Sequence, residues 1–244
     1  MAALSLSIII PAYNEARRLP ATLEALNEYL DARHPDAEVV VADDGSADAT
    51  GEHTREAARR WSRIRLLEMP HRGKGHAVRQ GMLAALGEVR LFMDADRAVP
   101  LEAIEPFLEA MSSADVVIAS REAPGARRIG EPPNRHLMGR VFNLAVRLMA
   151  GLPYRDTQCG FKAFRASAAQ ALFSRQQVDG FGFDAEVLYL ARRLGLRVVE
   201  LPVEWRYGVE SKVRLRHPVQ MLGELAGVRW RALRGGYEAP SPKG

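Results

Sequence analysis

The sequence predicts an α/β protein built on a doubly wound, mostly parallel sheet with helices on both faces. Three observations carry that expectation. Short apolar runs alternate with helix-spaced apolar residues from Leu6 to Ala119, the pattern of successive βαβ units. Three of the runs lead into Asn14/Glu15, Asp43/Asp44 and Asp94/Asp96, and open α/β sheets bind ligands at the carboxyl ends of their strands. The 244 residues are 47% hydrophobic, enough core for one large domain or two small ones.

Leu6 to Ile10 reads as the first strand, and Pro11-Ala12-Tyr13-Asn14-Glu15 as a loop fixed by proline. Leu19, Leu23, Leu26 and Leu30 then recur at helical spacing. Val39 to Ala42 is the second strand, after which Gly45 permits a tight turn and Ser46 or Asp48 can cap a helix. Ile64 to Met69 is the third strand, and Pro70 to Gly75 opens a helix running through Leu86. Val89 to Met93 and Val116 to Ala119 are the fourth and fifth strands. Beyond Ser120 the alternation weakens. The stretch 121–140 is rich in Arg, Pro and Gly, and Leu137 to Met149 reads as a helix. The stretch from Phe181 to Glu186 opens another helix running to Leu194, with Asp184 as a helix-start acid. A strand from Val198 to Leu201 comes next, continued by Val203-Glu204-Trp205.

Charge and composition narrow the function. The net charge of +4 favours anionic partners. The single Cys159 excludes an internal disulfide framework and reads as a packed residue. No stretch offers 18 uncharged apolar residues, and Met1 to Ser7 lacks the pattern of a signal peptide. The expectation is therefore a protein that neither spans a membrane nor is exported. From Arg206 to Arg234 seven bases stand against Glu210 and Glu224. Val219, Leu222, Ala226, Trp230 and Leu233 share one helical face there, which suits either a membrane surface or packing on the domain. Residues 237–244 read as a disordered tail.

The chemistry converges on Leu91-Phe92-Met93-Asp94-Ala95-Asp96. A buried strand ending between two carboxylates delivers hard oxygen ligands to one point, which suits Mg²⁺ or Mn²⁺ shared with substrate phosphates. Lys74, flanked by glycines at a helix start, can set charge against a diphosphate; otherwise it is a solvated lysine in a helix-entry loop. No serine or threonine follows that lysine, and GxGxxG is absent, which argues against a phosphate-cradling P-loop and a dinucleotide oxidoreductase. A basic non-enzymatic binder of nucleic acid or membranes leaves the three acid-bearing strand ends unexplained.

Taken together, Pro11-Ala12-Tyr13-Asn14-Glu15, Asp43-Asp44-Gly45-Ser46, Arg72-Gly73-Lys74-Gly75 and Asp94-Ala95-Asp96 resemble inverting family 2 glycosyltransferases of the GT-A fold. Asp156-Thr157-Gln158-Cys159-Gly160-Phe161-Lys162, Phe183-Asp184-Ala185-Glu186 and Ser211-Lys212 narrow the likeness to transferases that act on polyprenyl phosphates. The resemblance covers roughly residues 5–234. It implies transfer of glucose or mannose from UDP-glucose or GDP-mannose to a dolichyl-type phosphate, at a membrane's cytoplasmic face and with no nucleic acid involved. Pro11, Tyr13, Glu15, Asp43 and Asp44 would hold the nucleoside. Asp94 and Asp96 would hold the metal and diphosphate, and Arg121, Arg135 and Lys212 would face donor or acceptor phosphates. Arg97 stands where the family often has glycine or another uncharged residue. The implied organisation is a GT-A domain over 1–210, divided into a nucleotide-binding half (1–120) and an acceptor half (121–210). A basic amphipathic segment over 211–236 follows. The alternatives are a non-lipid acceptor, or a sugar nucleotidyltransferase, whose glycine-rich loop would occupy the position of Pro11 to Glu15.

Overall fold

Alternating branched residues commit the first strand, β1 (Leu6–Ala12), to a buried position with Ile8 and Ile10 on one face and Ile9 on the other. All three are inaccessible to solvent. A strand apolar on both faces belongs at the centre of a parallel sheet covered by helices on each side. The computed structural model describes residues 5–208, 216–234 and 237 (backbone alone at 216–219 and 233).

The elements that follow β1 are α1 (Leu19–Arg33), β2 (Glu38–Asp43), α2 (Thr50–Arg60), β3 (Ile64–Glu68), α3 (Lys74–Ala84) and β4 (Val89–Met93). After them come α4 (Ile104–Ala110), β5 (Val116–Ser120), β6 (Arg127–Ile129) and α5 (Pro133–Ala150). The chain continues through β7 (Phe161–Arg165), α6 (Ala166–Phe173), α7 (Phe183–Arg193), β8 (Val198–Pro202), β9 (Glu204–Arg206) and α8 (Arg216–Leu233). The main sheet has seven strands in the order β3-β2-β1-β4-β7-β5-β8. Every pairing in it is parallel except those of β7, which runs antiparallel to both β4 and β5. The predicted doubly wound sheet is present, and β3, β2, β1 and β4 follow its βαβ path.

Two cores flank the sheet. Ile8, Ile10, Leu91, Met93 and Phe161 face Leu19, Leu23 and Leu26 of α1 and Phe107 of α4. On the opposite side Ile9, Val40, Phe92 and Phe164 meet α3, α6 and α7, with Met221, Leu225 and Val228 of α8 joining them. Gly81 lies where α3 presses on β1. A Cβ built on it would come 2.5 Å from Ile9 Cγ2.

Several expectations change. The strand β7 and the helix α6 were not foreseen, and β7 sits in the middle of the sheet. Val203-Glu204-Trp205 does not continue β8; the chain breaks at Val203, and β9 pairs in parallel with β6 as a separate two-stranded sheet. The helix expected from Leu137 begins at Pro133, whose fixed φ and missing N–H suit a first turn. In α8 the buried side carries Met221, Leu225, Val228 and Ala232, whereas Ala226 and Trp230 of the expected stripe point to solvent. Tyr237, expected in a disordered tail, is buried and donates to Glu186 Oε1 at 2.5 Å; residues 238–244 lie outside the described residues. Among the described residues, no helix is long and apolar enough to cross a membrane.

Replacing Gly81 by alanine tests the contact between α3 and β1. Helix propensity favours alanine by ~1 kcal/mol, but overpacking a filled core costs about 1–3 kcal/mol. The urea unfolding midpoint of Gly81→Ala is expected to fall. A raised midpoint would show that α3 can lift from the sheet at no cost.

Candidate active site

The carboxyl ends of β1, β2 and β4 lie side by side, so the loops that leave them share one edge. After β1, Asn14 takes a left-handed backbone (φ 54°), an uncommon choice for a residue with a Cβ. Its side-chain carbonyl accepts Ala47 N–H at 2.8 Å, and its own N–H donates to Ser46 Oγ at 2.9 Å. The loops after β1 and β2 are thereby tied together. Tyr13 stacks on His71, with ring centroids 4.1 Å apart. Glu15 is buried and held by Arg18 through two bonds of 2.8 and 2.7 Å.

The two acids after β2 serve the loops around them. Asp43 accepts Ser46 N–H at 3.0 Å. The carboxylate of Asp44 accepts the backbone N–H of Arg72 at 2.9 Å and of Gly73 at 2.8 Å, and it lies 2.7 Å from His71 Nδ1. Asp44 therefore shapes the loop that starts α3 and delivers Lys74. Gly73, at φ 131°, makes that delivery possible, because a Cβ there would meet Asp179 O at 2.5 Å.

Lys74 Nζ reaches Asp94 Oδ1 at 2.6 Å. It is partly covered instead of freely solvated. Burial would lower this ammonium, but Asp94 and then Asp184 outweigh that and raise it above the ordinary lysine value. Asp94 lies flat on Gly160: a Cβ at 160 would sit 2.0 Å from Asp94 Oδ2. Asp94 N–H donates to Gly160 O at 3.0 Å, which fixes the end of β4 against the loop entering β7. Asp96, two residues on, accepts Ala98 N–H at 3.0 Å. Desolvation and then the adjacent Asp94 charge push its carboxyl above the ordinary range. Arg97 has φ 50°, a conformation that favours glycine at this position and costs an arginine strain.

Beneath this pair lies a second one that sequence reasoning missed. Lys162 on β7 and Asp184 at the start of α7 meet at 2.5 Å, and Lys162 also donates to Cys159 O at 2.6 Å. Both are buried. Burial pushes the Asp184 carboxyl up against the pull of Lys162 and Lys74. Asp184 is thus more than a helix-start acid. Cys159 is packed as expected, and burial pushes its thiol up to about 12.

A cleft beside the acid pair is lined by Asp94, Asp96, Cys159, Gly160 and Trp205. Arg121 and Arg128 lie over the Trp205 ring at 5.4 and 5.7 Å, which brings Arg121 to the same side of the molecule. Its guanidinium binds Asp156 through Nε at 2.6 Å and Nη2 at 3.0 Å. Burial alone would raise the Asp156 carboxyl, but Arg121 holds it well below the usual carboxylate range. Arg135 donates to Tyr207 Oη at 3.1 Å, and the Tyr207 ring lies 6.1 Å from that of Trp205. Lys212 lies outside the described residues.

The donor set fits a divalent cation. Asp94, Asp96 and Asp184 are three carboxylates beside the two ammoniums of Lys74 and Lys162, an excess of negative charge that a divalent cation would offset. Among the described residues no three His, Cys, Asp or Glu side chains converge on one point. Asp94 and Asp96 would thus supply two ligands, and phosphate oxygens and water the rest, as Mg²⁺ and Mn²⁺ sites at phosphates commonly do. His71, Lys162 and Trp205 left little trace in the sequence, and Asp184 was read there only as a helix-start acid within a motif.

Fold and site together define a GT-A glycosyltransferase. Residues 7–173 match the family model described as "Glycosyl transferase family 2", and the chain belongs to that family. It is 34% identical over 235 residues to a dolichyl-phosphate β-glucosyltransferase of Trichomonas vaginalis, covering 91% of this chain and 70% of that protein. It is 34% identical over 208 residues to an undecaprenyl-phosphate mannosyltransferase of Micrococcus luteus, covering 80% and 81%. Among solved structures, glucosyl-3-phosphoglycerate synthase from Mycobacterium tuberculosis, in complex with Mn²⁺ and UDP, superimposes with a TM-score of 0.67. It is 19% identical and covers 99% of this chain and 82% of that one, a likeness of fold. The nucleotidyltransferase alternative is set aside by the family match.

The Arg121–Asp156 pair makes a signed prediction. A carboxyl depressed in the folded state stabilises it above the unfolded value near ~3.9, and that stability is lost as pH falls toward the depressed value. Asp156→Asn strands a largely buried guanidinium and is expected to cost about 3–5 kcal/mol at neutral pH. The gap between parent and variant, read by urea unfolding, should narrow between pH 7 and pH 3. A constant gap would show that the pair acts through packing instead of charge.

Proposed function

We propose that the enzyme transfers a hexose, with inversion, from a nucleoside diphosphate sugar to a polyprenyl phosphate, using Mg²⁺ or Mn²⁺ held by Asp94 and Asp96. The carrying observation is the convergence of Asp94, Asp96 and Lys74 at the carboxyl edge of the sheet, with Lys74 2.6 Å from Asp94. The names of the relatives, which act on dolichyl and undecaprenyl phosphates, supply the acceptor class. In this reading residues 1–120 hold the donor, UDP-glucose or GDP-mannose, with Pro11, Tyr13, Glu15, Asp43 and Asp44 around the nucleoside. Residues 121–210 receive the lipid phosphate with Arg121 and Arg135, joined by Lys212 from the segment that follows. The basic C-terminal segment works at the cytoplasmic face of a membrane.

The chemistry asks little proton work of the protein. A lipid phosphate is already ionised at neutral pH, so its oxygen attacks the anomeric carbon without a general base, and direct displacement inverts that centre. Rate then depends on aligning the two reactants and on stabilising the departing diphosphate. When bound, the divalent cation supplies Lewis-acid stabilisation of that leaving group. Lys74 stands ready to move from Asp94 to a phosphate oxygen. Asp44 holds the Arg72–Gly73 backbone that positions it, and Asp184 with Lys162 fixes the floor beneath Asp94.

Calorimetric titration with UDP, GDP and their sugars identifies the donor and tests the metal. Asp96→Ala and EDTA are each expected to weaken diphosphate binding by tenfold or more, an amount equal to ~1.4 kcal/mol. Equal affinity with and without EDTA would remove the metal from the reading. Asp44→Ala should weaken free uridine or guanosine and the full donor alike, by about 1.5–3 kcal/mol if its hydrogen bonds shape the nucleoside site. Unchanged nucleoside affinity would place Asp44 outside that site.

A further inference from the structure

The helix α5 has two apolar sides and only one of them is covered. Val146 and Ala150 pack into the domain. On the outward side Leu137, Val141, Leu144 and Leu148 recur at helical spacing, with exposures of 64%, 61%, 51% and 72%, and Met138 adjoins them at 60%. Single exposed leucines are ordinary, but a stripe of this length along one helix marks a contact surface.

Charge says which contact. The sequence of α5 carries Arg135, Arg140 and Arg147 and no acidic residue. The nearest acids, Glu122 and Glu131, are each bound by Arg128 at 2.6 Å, and Glu122 also lies 3.6 Å from both His136 and Arg140. An apolar stripe flanked by arginines matches the boundary between acyl chains and anionic headgroups. Two copies of the helix laid together would instead bring like charges face to face. The neighbouring α8, whose Arg229 donates to Met149 O at 3.1 Å, adds Trp230 at 57% exposure with Arg234 over its ring at 4.0 Å. Indole rings favour the same boundary.

We infer that α5 is the surface by which this enzyme lies on an anionic membrane, its Leu137–Leu148 stripe entering the headgroup layer. The inference deepens the lipid-phosphate reading and rests on it for the reason a membrane is needed. It also connects to the site. Asn143 of α5 accepts the N–H and hydroxyl of Thr157 at 3.3 and 3.1 Å and donates to Arg155 O. That loop carries Asp156, the partner of Arg121, and leads to Gly160 beneath Asp94. A lipid phosphate at the α5 surface is therefore one loop away from the acid edge.

Co-sedimentation of the full chain tests this with vesicles of phosphatidylcholine alone and of phosphatidylcholine with phosphatidylglycerol, at low and high salt. The parent should bind the anionic vesicles, less so at high salt. The doubly substituted Val141→Glu/Leu148→Glu chain should bind at least tenfold more weakly, with unchanged melting temperature and unchanged transfer to a short, water-soluble polyprenyl phosphate. As a readout that does not depend on that variant folding, Val141→Cys carrying an environment-sensitive dye should blue-shift on anionic vesicles, Cys159 being buried. Equal binding by parent and variant, or no blue shift, would overturn the inference. So would a dimer in gel filtration that the double variant dissociates, which would make the stripe an interface between copies. Vesicle binding lost through α5 in an enzyme that transfers to no polyprenyl phosphate would leave the surface standing and overturn the proposed acceptor.

Discussion

The ion pair between Lys162 and Asp184 is the constraint on which the site depends. A lysine at the centre of a seven-stranded sheet is costly unless every donor is met, because removing an ammonium from water costs several kcal/mol. Asp184 and the carbonyl of Cys159 meet it, and the Phe92 ring lies 5.3 Å away. The pair joins β7 to α7 on the inner side of the sheet. Asp184 also acts on Lys74, whose ammonium sits on Asp94. The charges thus run inward from the acid edge without a break, and Asp94 is held by structure on both of its sides.

A similar economy governs the loops. Asp44, Asp156 and Glu186 are buried carboxylates that accept backbone N–H groups as well as side-chain donors. Each turns an irregular segment into a fixed one, in place of the regular pairing that a strand or helix would supply. Left-handed backbone at Asn14 and Arg97 falls in the loops after β1 and β4. Strain of this sort survives only where surrounding bonds over-determine the chain, and those around Asn14 come from Ser46 and Ala47.

Much of this was legible in the sequence because the signals were local. The strands β1, β2, β4 and β5 are short runs rich in apolar residues, and the acids that follow β1, β2 and β4 announce themselves by position. What stayed hidden depended on partners far along the chain. The strand β7 reads Phe-Lys-Ala-Phe-Arg, and its buried lysine breaks the apolar pattern; only Asp184, folded against it, makes that position tolerable. For α8 two stripes of apolar residues share the helix, and periodicity alone could not tell that Met221, Leu225 and Val228 face inward. Stacking of His71 on Tyr13 joins two loops that no spacing rule connects. Arg121 was expected to face donor or acceptor phosphates, and its bond to Asp156 appears only once the 155–160 loop closes over it.

The reversed strand at the centre of the sheet has a consequence for biosynthesis. When the first five strands have left the ribosome, β4 and β5 each still lack a neighbour, since β7 lies between them and comes from residues 161–165. Until then β4 and β5 both present bare apolar edges, the kind of surface that seeds aggregation and recruits chaperones. Closure of the sheet between β4 and β5 therefore waits on translation of the segment that also brings Gly160 and Lys162 to the acids. The same few residues close both seams between β4 and β5 and place Lys162 for Asp184, so a chain stalled before them would have neither.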